Sequence, residues 1–185
     1  MKKHLVFLNF LLASFLFFLL FFWQPHSVEE VFNQNWHIST VNEKIFFKKE
    51  NQNKILMLYF GYTFCPDVCP STLLEVAQAL ENLPDNVLNQ MEVLFVSLDP
   101  LRDKPSYLAE YVRFFHPKIK AGLANDLKAI TQRFGVVYYQ HTEEPFLIDH
   151  SADTILVAPK EKTTKRIAYG AKALEFQQAV LSLIH

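Results

Sequence analysis

The sequence is poor in cysteine and has no excess of positive charge. Only two of its 185 residues are cysteines, and 18 lysines and arginines against 19 aspartates and glutamates give a formal net charge of −1. Without a basic field, nucleic acid is not an expected partner. No internal repeat is evident, and the only low-complexity tract is an N-terminal run rich in leucine and phenylalanine. The remaining sequence, with hydrophobic residues making up 50% of the chain, is long enough for one compact domain plus an appendage.

The N-terminal run, residues 5–23, lacks the features of a cleaved signal peptide. It is almost uninterrupted in its apolar character and follows two lysines. Its length is close to the roughly 20 residues that cross a bilayer as a helix. No A-x-A cleavage pattern follows it, and no cysteine follows it closely enough for a lipoprotein site. We therefore expect an N-terminal transmembrane helix over residues 1–23, with a cleaved signal as the alternative.

The orientation of this anchor follows from its flanking charges. Lys2 and Lys3 precede the run and are expected to stay on the cytoplasmic side. The rest of the chain would then lie on the extracytoplasmic side, which in a bacterium is the periplasmic side of the inner membrane. Disulfides persist in that compartment, so a cysteine pair there can cycle between thiol and disulfide.

Both cysteines lie in one stretch, residues 61–70 (GYTFCPDVCP), between a predicted strand over residues 55–60 and a predicted helix over residues 71–80. Cys65 and Cys69 are four residues apart, so on a helix they share one face with Cα atoms about 6 Å apart. At that distance two sulfurs can converge on one soft metal ion, and they are near the upper limit for a disulfide. A helix N-terminus also favours thiolate. A pair of buried structural cysteines is the plain alternative.

The rest of the pattern predicts one α/β domain, residues 36–185, after a linker over residues 24–35. Short edge strands are expected near residues 36–38 and 45–47. The later predicted elements are a strand over 91–97, a helix from 105 to 116, a helix over 125–134, a strand over 136–139, a hairpin of 154–158 with 166–169, and a helix over 171–184. This order is typical of a thioredoxin-like fold, in which helices flank a central mixed sheet.

Three blocks in order resemble the Sco/SenC family of copper proteins, which take part in assembling cytochrome c oxidase. They are residues 61–70 (GYTFCPDVCP), 96–105 (VSLDPLRDKP) and 148–153 (IDHSAD), and residues 111–117 (YVRFFHP) are also similar. The resemblance extends from about residue 55 to the C-terminus. The chain departs from the family after the last block, where it has APKE in place of the usual Asp-Pro-x-Gly turn. That departure alters the turn of the predicted hairpin.

The resemblance implies a membrane-anchored, thioredoxin-like domain that holds a copper ion, Cu(I) or Cu(II), with Cys65, Cys69 and His150. It gives Asp99 a supporting role beside the site. The donor chemistry agrees, because thiolates are soft ligands that suit Cu(I) and imidazole suits Cu(II). His150 also precedes a predicted core strand, whose start faces the cysteine loop in a thioredoxin-like layout. The other six histidines are expected to be solvated or core residues, and the three methionines form no Met-rich copper motif.

We expect structural roles for two further charged residues of the second block, Arg102 and Asp103. Arg102 and Asp103 are expected to be solvated or paired. Asp103 is also a candidate cap for the helix that follows it.

Two functions compete for the same cysteines. The resemblance implies a copper chaperone that delivers copper to, or prepares the copper site of, cytochrome c oxidase, with the oxidase's copper-binding subunit or another copper acceptor as partner. The alternative is a thiol–disulfide oxidoreductase in which Cys65 and Cys69 are catalytic, one attacking and one resolving. Its weakness is the CxxxC spacing, since dedicated oxidoreductases usually carry CxxC. A peroxidase-like thiol enzyme is a third interpretation, without a separate supporting feature. His150 discriminates, because a metal site needs it and thiol exchange does not.

The anchor hypothesis is tested by fractionation of cells that produce the full chain. Because residues 5–23 are apolar and lack a cleavage site, the mature protein should begin at or next to Met1. It should also stay with membranes after a carbonate wash. Recovery of a soluble form that begins near residue 24 would contradict the hypothesis.

Overall fold

The structure is a computed structural model that describes residues 14, 37–46, 54–158, 160 and 163–184. In chain order, the elements of this part are β1 (His37–Ser39), β2 (Lys44–Phe46), β3 (Ile55–Gly61), α1 (Val68–Glu81), α2 (Asp85–Leu88), β4 (Met91–Ser97), α3 (Pro105–Phe115), β5 (Ile119–Ala124), α4 (Leu127–Arg133), β6 (Tyr138–Gln140), β7 (Ile148–His150), β8 (Thr154–Ala158), β9 (Thr163–Ile167) and α5 (Ala173–Leu181).

Seven of these strands form one mixed sheet in the order β2-β1-β5-β4-β3-β8-β9. The central pairs β3–β4 and β4–β5 are parallel, whereas β8 and β1 join their neighbours antiparallel. Every residue of β3 is buried, as expected for a strand covered on both faces. The mixed α/β sheet and the β8–β9 hairpin that the sequence predicts are thus confirmed.

The helices cover this sheet. Helix α1 packs against α5 and also contacts α3, which in turn lies along β5. Because β3 and β4 are parallel, the loops that follow them leave the sheet at the same edge. The loop after β3 carries the cysteines and the loop after β4 carries Asp99, so the topology alone brings these two segments together.

Helix α1 begins three residues before the predicted start at residue 71, but still after Cys65. It starts at Val68, so only Cys69 is helical and Cys65 lies in the preceding turn. The cause is local, because Pro66 disfavours the helical conformation in the residue before it. The expectation that both cysteines share one helical face is therefore wrong, although their sulfurs still converge.

Strand β5 is not evident in the sequence because Lys120 and Gly122 interrupt its apolar residues. Gly122 is required by close packing against β1. A Cβ atom at this position would lie 2.4 Å from the Ser39 carbonyl oxygen. Pairing with β1 and β4, rather than residue pattern, therefore makes this segment a strand.

Strands β6 and β7 form a separate two-stranded sheet. The sequence instead predicts one strand and a segment that leads into the β8–β9 hairpin.

Among the residues that the structure describes, no helix is long and apolar enough to cross a membrane. The predicted anchor, residues 5–23, lies outside the described residues except for position 14.

Candidate metal centre

The two cysteines occupy the connection from β3 to α1. The Cys65 backbone N–H donates to the Tyr62 carbonyl oxygen at 3.3 Å, which closes the turn before the helix. Cys69 lies in the first turn of α1 and is fully buried. Its backbone N–H donates to the Cys65 sulfur at 3.4 Å. The helix start thus supplies a hydrogen bond to the Cys65 thiolate, as helix N-termini do for anions.

Gly61 makes room for the Cys69 sulfur at the end of β3. A Cβ atom at position 61 would lie 2.7 Å from Cys69 Sγ and 2.9 Å from the nearest atom of the Phe95 ring. Both contacts are shorter than real Cβ contacts, and Phe95 is completely buried. The glycine is therefore needed for close approach between strand and sulfur.

His150 is the last residue of β7, and its ring faces the two cysteines. Its Nε2 atom lies 3.7 Å from Cys69 Sγ, and its Nδ1 atom lies 3.1 Å from the Ser151 carbonyl oxygen. Because a carbonyl only accepts hydrogen bonds, Nδ1 is the donor in this contact, and Nε2 is the ring nitrogen that faces the sulfurs. The ring is therefore oriented with its ligating atom towards the sulfurs.

The structure brings the three residues expected at the metal site together. The ligating atoms of Cys65, Cys69 and His150 all lie within 4.8 Å of one another. Cys65 and His150 line a cleft of about 380 Å³, while Cys69 lies behind them. The arrangement has two sulfurs and one nitrogen on its inner side and the open cleft on the other.

The two sulfurs differ in charge. The hydrogen bond with the Cys69 side chain lowers the pKa of the Cys65 thiol well below its usual range, against an opposing effect of burial. The hydrogen bond with Cys65, together with burial, raises the pKa of the Cys69 thiol. The pair therefore shares one proton, with the thiolate at Cys65, beside the cleft. Burial also raises the pKa of Tyr59, which keeps that phenol neutral.

Asp103 supports the cysteine loop from within the protein. Its carboxylate accepts hydrogen bonds from the Thr63 backbone N–H at 3.3 Å, from the Thr63 hydroxyl, and from the Ser97 hydroxyl at 2.6 Å. The side chain is completely buried, and the residue at the N-cap of α3 is Lys104. The expectation that Asp103 caps this helix is wrong. No sequence signal distinguishes it, apart from its place in the second family block.

Asp99, the expected supporting aspartate, is buried and pairs with Arg102. Its carboxylate accepts hydrogen bonds from the Arg102 backbone N–H at 3.3 Å and from the Arg102 Nε atom. The Ser97 hydroxyl oxygen in turn accepts from the Asp99 backbone N–H at 2.9 Å. In the described part of the chain, Asp99 therefore reaches the cysteine loop through neighbours and not by direct contact with a sulfur.

The family model described as SCO1/SenC matches residues 24–185. The chain belongs to this family. The SCO2-like protein of Rickettsia prowazekii is 32% identical over 143 residues, which are 74% of this chain and 69% of that protein. The relationship therefore holds over most of the domain.

Two solved structures of Sco proteins have the same fold. The solution structure of apo Sco1 from Thermus thermophilus matches with a TM-score of 0.65 at 30% identity, over 80% of this chain and 87% of that one. The crystal structure of Arabidopsis thaliana ScoI with copper bound matches with a TM-score of 0.68 at 28% identity, over 80% and 94%. These similarities confirm the thioredoxin-like Sco fold.

The difference between the two thiols predicts selective alkylation. In the reduced protein, iodoacetamide should modify Cys65 before Cys69, because Cys65 lines the cleft and its lowered pKa keeps it a thiolate. A depressed pKa means that thiolate is lost only in acid, so the Cys65 rate should change little between about pH 8 and about pH 6. Peptide mass spectrometry over time measures both rates. Equal rates, or a Cys65 rate that falls about tenfold per pH unit over this range, would contradict the assignment.

The packing at Gly61 predicts that Gly61→Ala displaces the Cys69 sulfur. Overpacking in a closed core costs about 1–3 kcal/mol, so chemical denaturation should show a loss of that size. Alkylation of Cys69 should also accelerate as its sulfur moves.

Gly170→Ala is the matched control for this substitution. Position 170 has φ 86°, so a methyl group there carries a conformational cost, but it meets no atom within 4 Å. The control should lose stability without altering Cys69. Unchanged Cys69 reactivity in Gly61→Ala would argue against the role assigned to the glycine.

Proposed function

We propose that this protein binds copper as its cargo through Cys65, Cys69 and His150 and passes it to an acceptor protein. The observation that carries the proposal is the convergence of these three ligating atoms within 4.8 Å. Two thiolates suit Cu(I), and the free Nε2 of the histidine adds a ligand that suits Cu(II). The donor set therefore fits copper in both oxidation states.

Capture of the ion follows from the charges of the two thiols. Cys65 is the thiolate beside the cleft, so it makes the first contact with incoming copper. Cys69 then loses the proton that the pair retains, and His150 adds its Nε2 nitrogen. Binding thus releases one proton, since metal ligands must be deprotonated. A partner that reaches the cleft can displace these ligands one at a time, which is how the copper would leave.

The acceptor is proposed from the family. Sco proteins are involved in copper delivery to cytochrome c oxidase and in thiol redox chemistry. The partner proposed here is accordingly the copper-binding subunit of the oxidase or another copper acceptor. Residues 5–23 would hold the domain at the membrane on the extracytoplasmic side, next to an acceptor of this kind.

A second candidate function is thiol–disulfide exchange with a partner protein. It is favoured by the asymmetry of the two cysteines, neither of which is in a disulfide. The Cys65 thiolate would attack a partner disulfide and release one partner thiolate. Cys69 would then resolve the mixed disulfide, which leaves a Cys65–Cys69 disulfide and a reduced partner. His150 is not required for this reaction.

Copper titration of the reduced protein tests the first proposal. Wild type should bind one copper ion per chain. Cys65→Ala and Cys69→Ala should each abolish tight binding, because a single thiolate does not hold Cu(I) against competing thiols. His150→Ala should weaken Cu(II) binding severely and leave measurable Cu(I) binding, since both thiolates remain. Competition with chromophoric Cu(I) and Cu(II) chelators measures each affinity.

His141→Ala is the control for the histidine variant. His141 is exposed and pairs with Asp149 at 2.8 Å, so its loss should leave copper affinity unchanged. If His150→Ala binds Cu(II) like the wild type, the three-residue site is refuted. If no variant binds less copper but both cysteine variants lose thiol exchange, the second function is the correct one.

A further inference from the structure

Arg102 contacts both segments that carry the candidate ligands. Its side chain donates through Nε to the Asp99 carboxylate, which is completely buried. Its terminal nitrogen donates to the Phe146 carbonyl oxygen at 2.7 Å, across 44 positions of sequence. The guanidinium carbon also lies 4.9 Å from the centre of the Phe64 ring, and Phe64 immediately precedes Cys65. One side chain thus joins the loop after β4, the cysteine loop and the segment before β7.

The contact at Phe146 lies at a special point of the backbone. Phe146 has φ 54°, a left-handed conformation that residues other than glycine disfavour. Such residues persist when their surroundings hold them in place. The arginine provides a charged donor to the carbonyl of this residue, two positions before β7 begins. The contact with Arg102 therefore lies at the point where the chain enters β7.

Few other contacts hold the start of β7 against the cysteine loop. The Tyr62 hydroxyl accepts a hydrogen bond from the Ile148 backbone N–H at 3.2 Å. Strand β7 pairs with the short strand β6 and is not part of the main sheet. Ile148 is also buried in the core, so its burial and the side-chain contacts from the cysteine and Asp99 loops together set the position of His150 relative to the sulfurs.

We propose that Arg102 is a positioning residue that holds the segment carrying His150 against the cysteine loop and keeps Nε2 in reach of the sulfurs. Asp99 orients the guanidinium, the Phe64 ring supports its face, and the Phe146 carbonyl receives its outer N–H. This assignment rests on the proposed copper function for its consequence, but the positioning itself is a property of the protein without metal.

Arginine suits this position better than lysine. Its planar fork presents several donors in fixed directions and its face stacks on aromatic rings. A lysine can satisfy the Asp99 charge as a single ammonium group, but it does not bridge to Phe146 with the same geometry. Arg102→Lys should therefore restore stability more fully than it restores the position of His150.

The consequence for copper is selective. Loss of the Arg102 contacts should leave both sulfurs in place but allow the His150 imidazole to move. Substitutions of groups that orient metal ligands typically weaken metal binding by roughly 10–100-fold. We expect a loss of that size for Cu(II), which depends on the imidazole, and a much smaller change for Cu(I).

The experiment compares the reduced full-length protein with Arg102→Met, Arg102→Lys and the double variant Asp99→Asn/Arg102→Met. The double variant is included because Arg102→Met alone leaves a buried carboxylate without its partner, which can unfold the protein. Arg113→Met is the matched control, since Arg113 is exposed in the last turn of α3. Thermal unfolding verifies that each variant is folded.

Two readouts are measured on each variant. In metal-free protein, NMR of the His150 ring reports its edge-on contact with Tyr62, whose ring centre is 6.1 Å away. In the Cu(II)-bound protein, the thiolate-to-Cu(II) absorption band reports sulfur ligation. The nitrogen coupling in the electron paramagnetic resonance spectrum reports imidazole ligation. In the Arg102→Met and double variants, the His150 ring signals should shift and the nitrogen coupling should be lost. Arg102→Lys should show intermediate changes, and Arg113→Met should show the wild-type signals and coupling.

The outcomes separate this inference from the proposed function. If folded Arg102→Met and the double variant keep the wild-type ring signals and Cu(II) spectrum, Arg102 does not position His150, while the copper function stands. If the wild type itself binds no copper, the proposed function fails. In that case the metal-free ring signals alone decide the role of Arg102, and unchanged signals overturn it.

Discussion

One buried carboxylate, that of Asp103, joins the two loops on which the candidate site depends. Strands β3 and β4 are parallel and pair Gly61 with Ser97, so the loops after them begin side by side. Asp103 then accepts hydrogen bonds from Thr63 in the first loop and from Ser97 at the end of β4. Hydrogen bonds to a charged group are each worth about 1.5–3 kcal/mol. The cysteine turn is therefore fixed to the sheet before any metal binds.

The site combines a rigid half with a half held by few contacts. Cys69 is packed between α1 and the end of β3, where even a methyl group at Gly61 does not fit. His150 instead belongs to a two-stranded sheet outside the main one. Such an arrangement suits the proposed release of copper, because the His150 imidazole could be withdrawn while the two sulfurs still held the ion.

Metal binding and thiol exchange draw on the same physical feature. Two sulfurs that share one proton give a thiolate at the cleft and a thiol behind it. The thiolate is both a soft metal ligand and a nucleophile. Formation of a disulfide would remove both proposed sulfur ligands at once, so the proposed copper binding would depend on the redox state of the pair. His150, the proposed third ligand, is the residue that would distinguish a copper site from a pair of exchange cysteines.

The sequence by itself determined most of the local elements and the cysteine pair of the candidate site. The apolar run that becomes β3 and the cysteine stretch that follows it are legible because each depends on neighbours within a few residues. Family resemblance added His150, since a lone histidine among seven carries little signal of its own.

Only the tertiary structure decided how these pieces meet. The Cys69 sulfur approaches His150 across 81 positions, Thr63 reaches Asp103 across 40, and Arg102 reaches the Phe146 carbonyl across 44. Residue patterns report which face of a helix or strand is apolar, and Asp103 and Arg102 look like ordinary surface charges by that measure. Their burial and partners arise from the parallel β3–β4 pairing, which places two distant loops at one edge of the sheet.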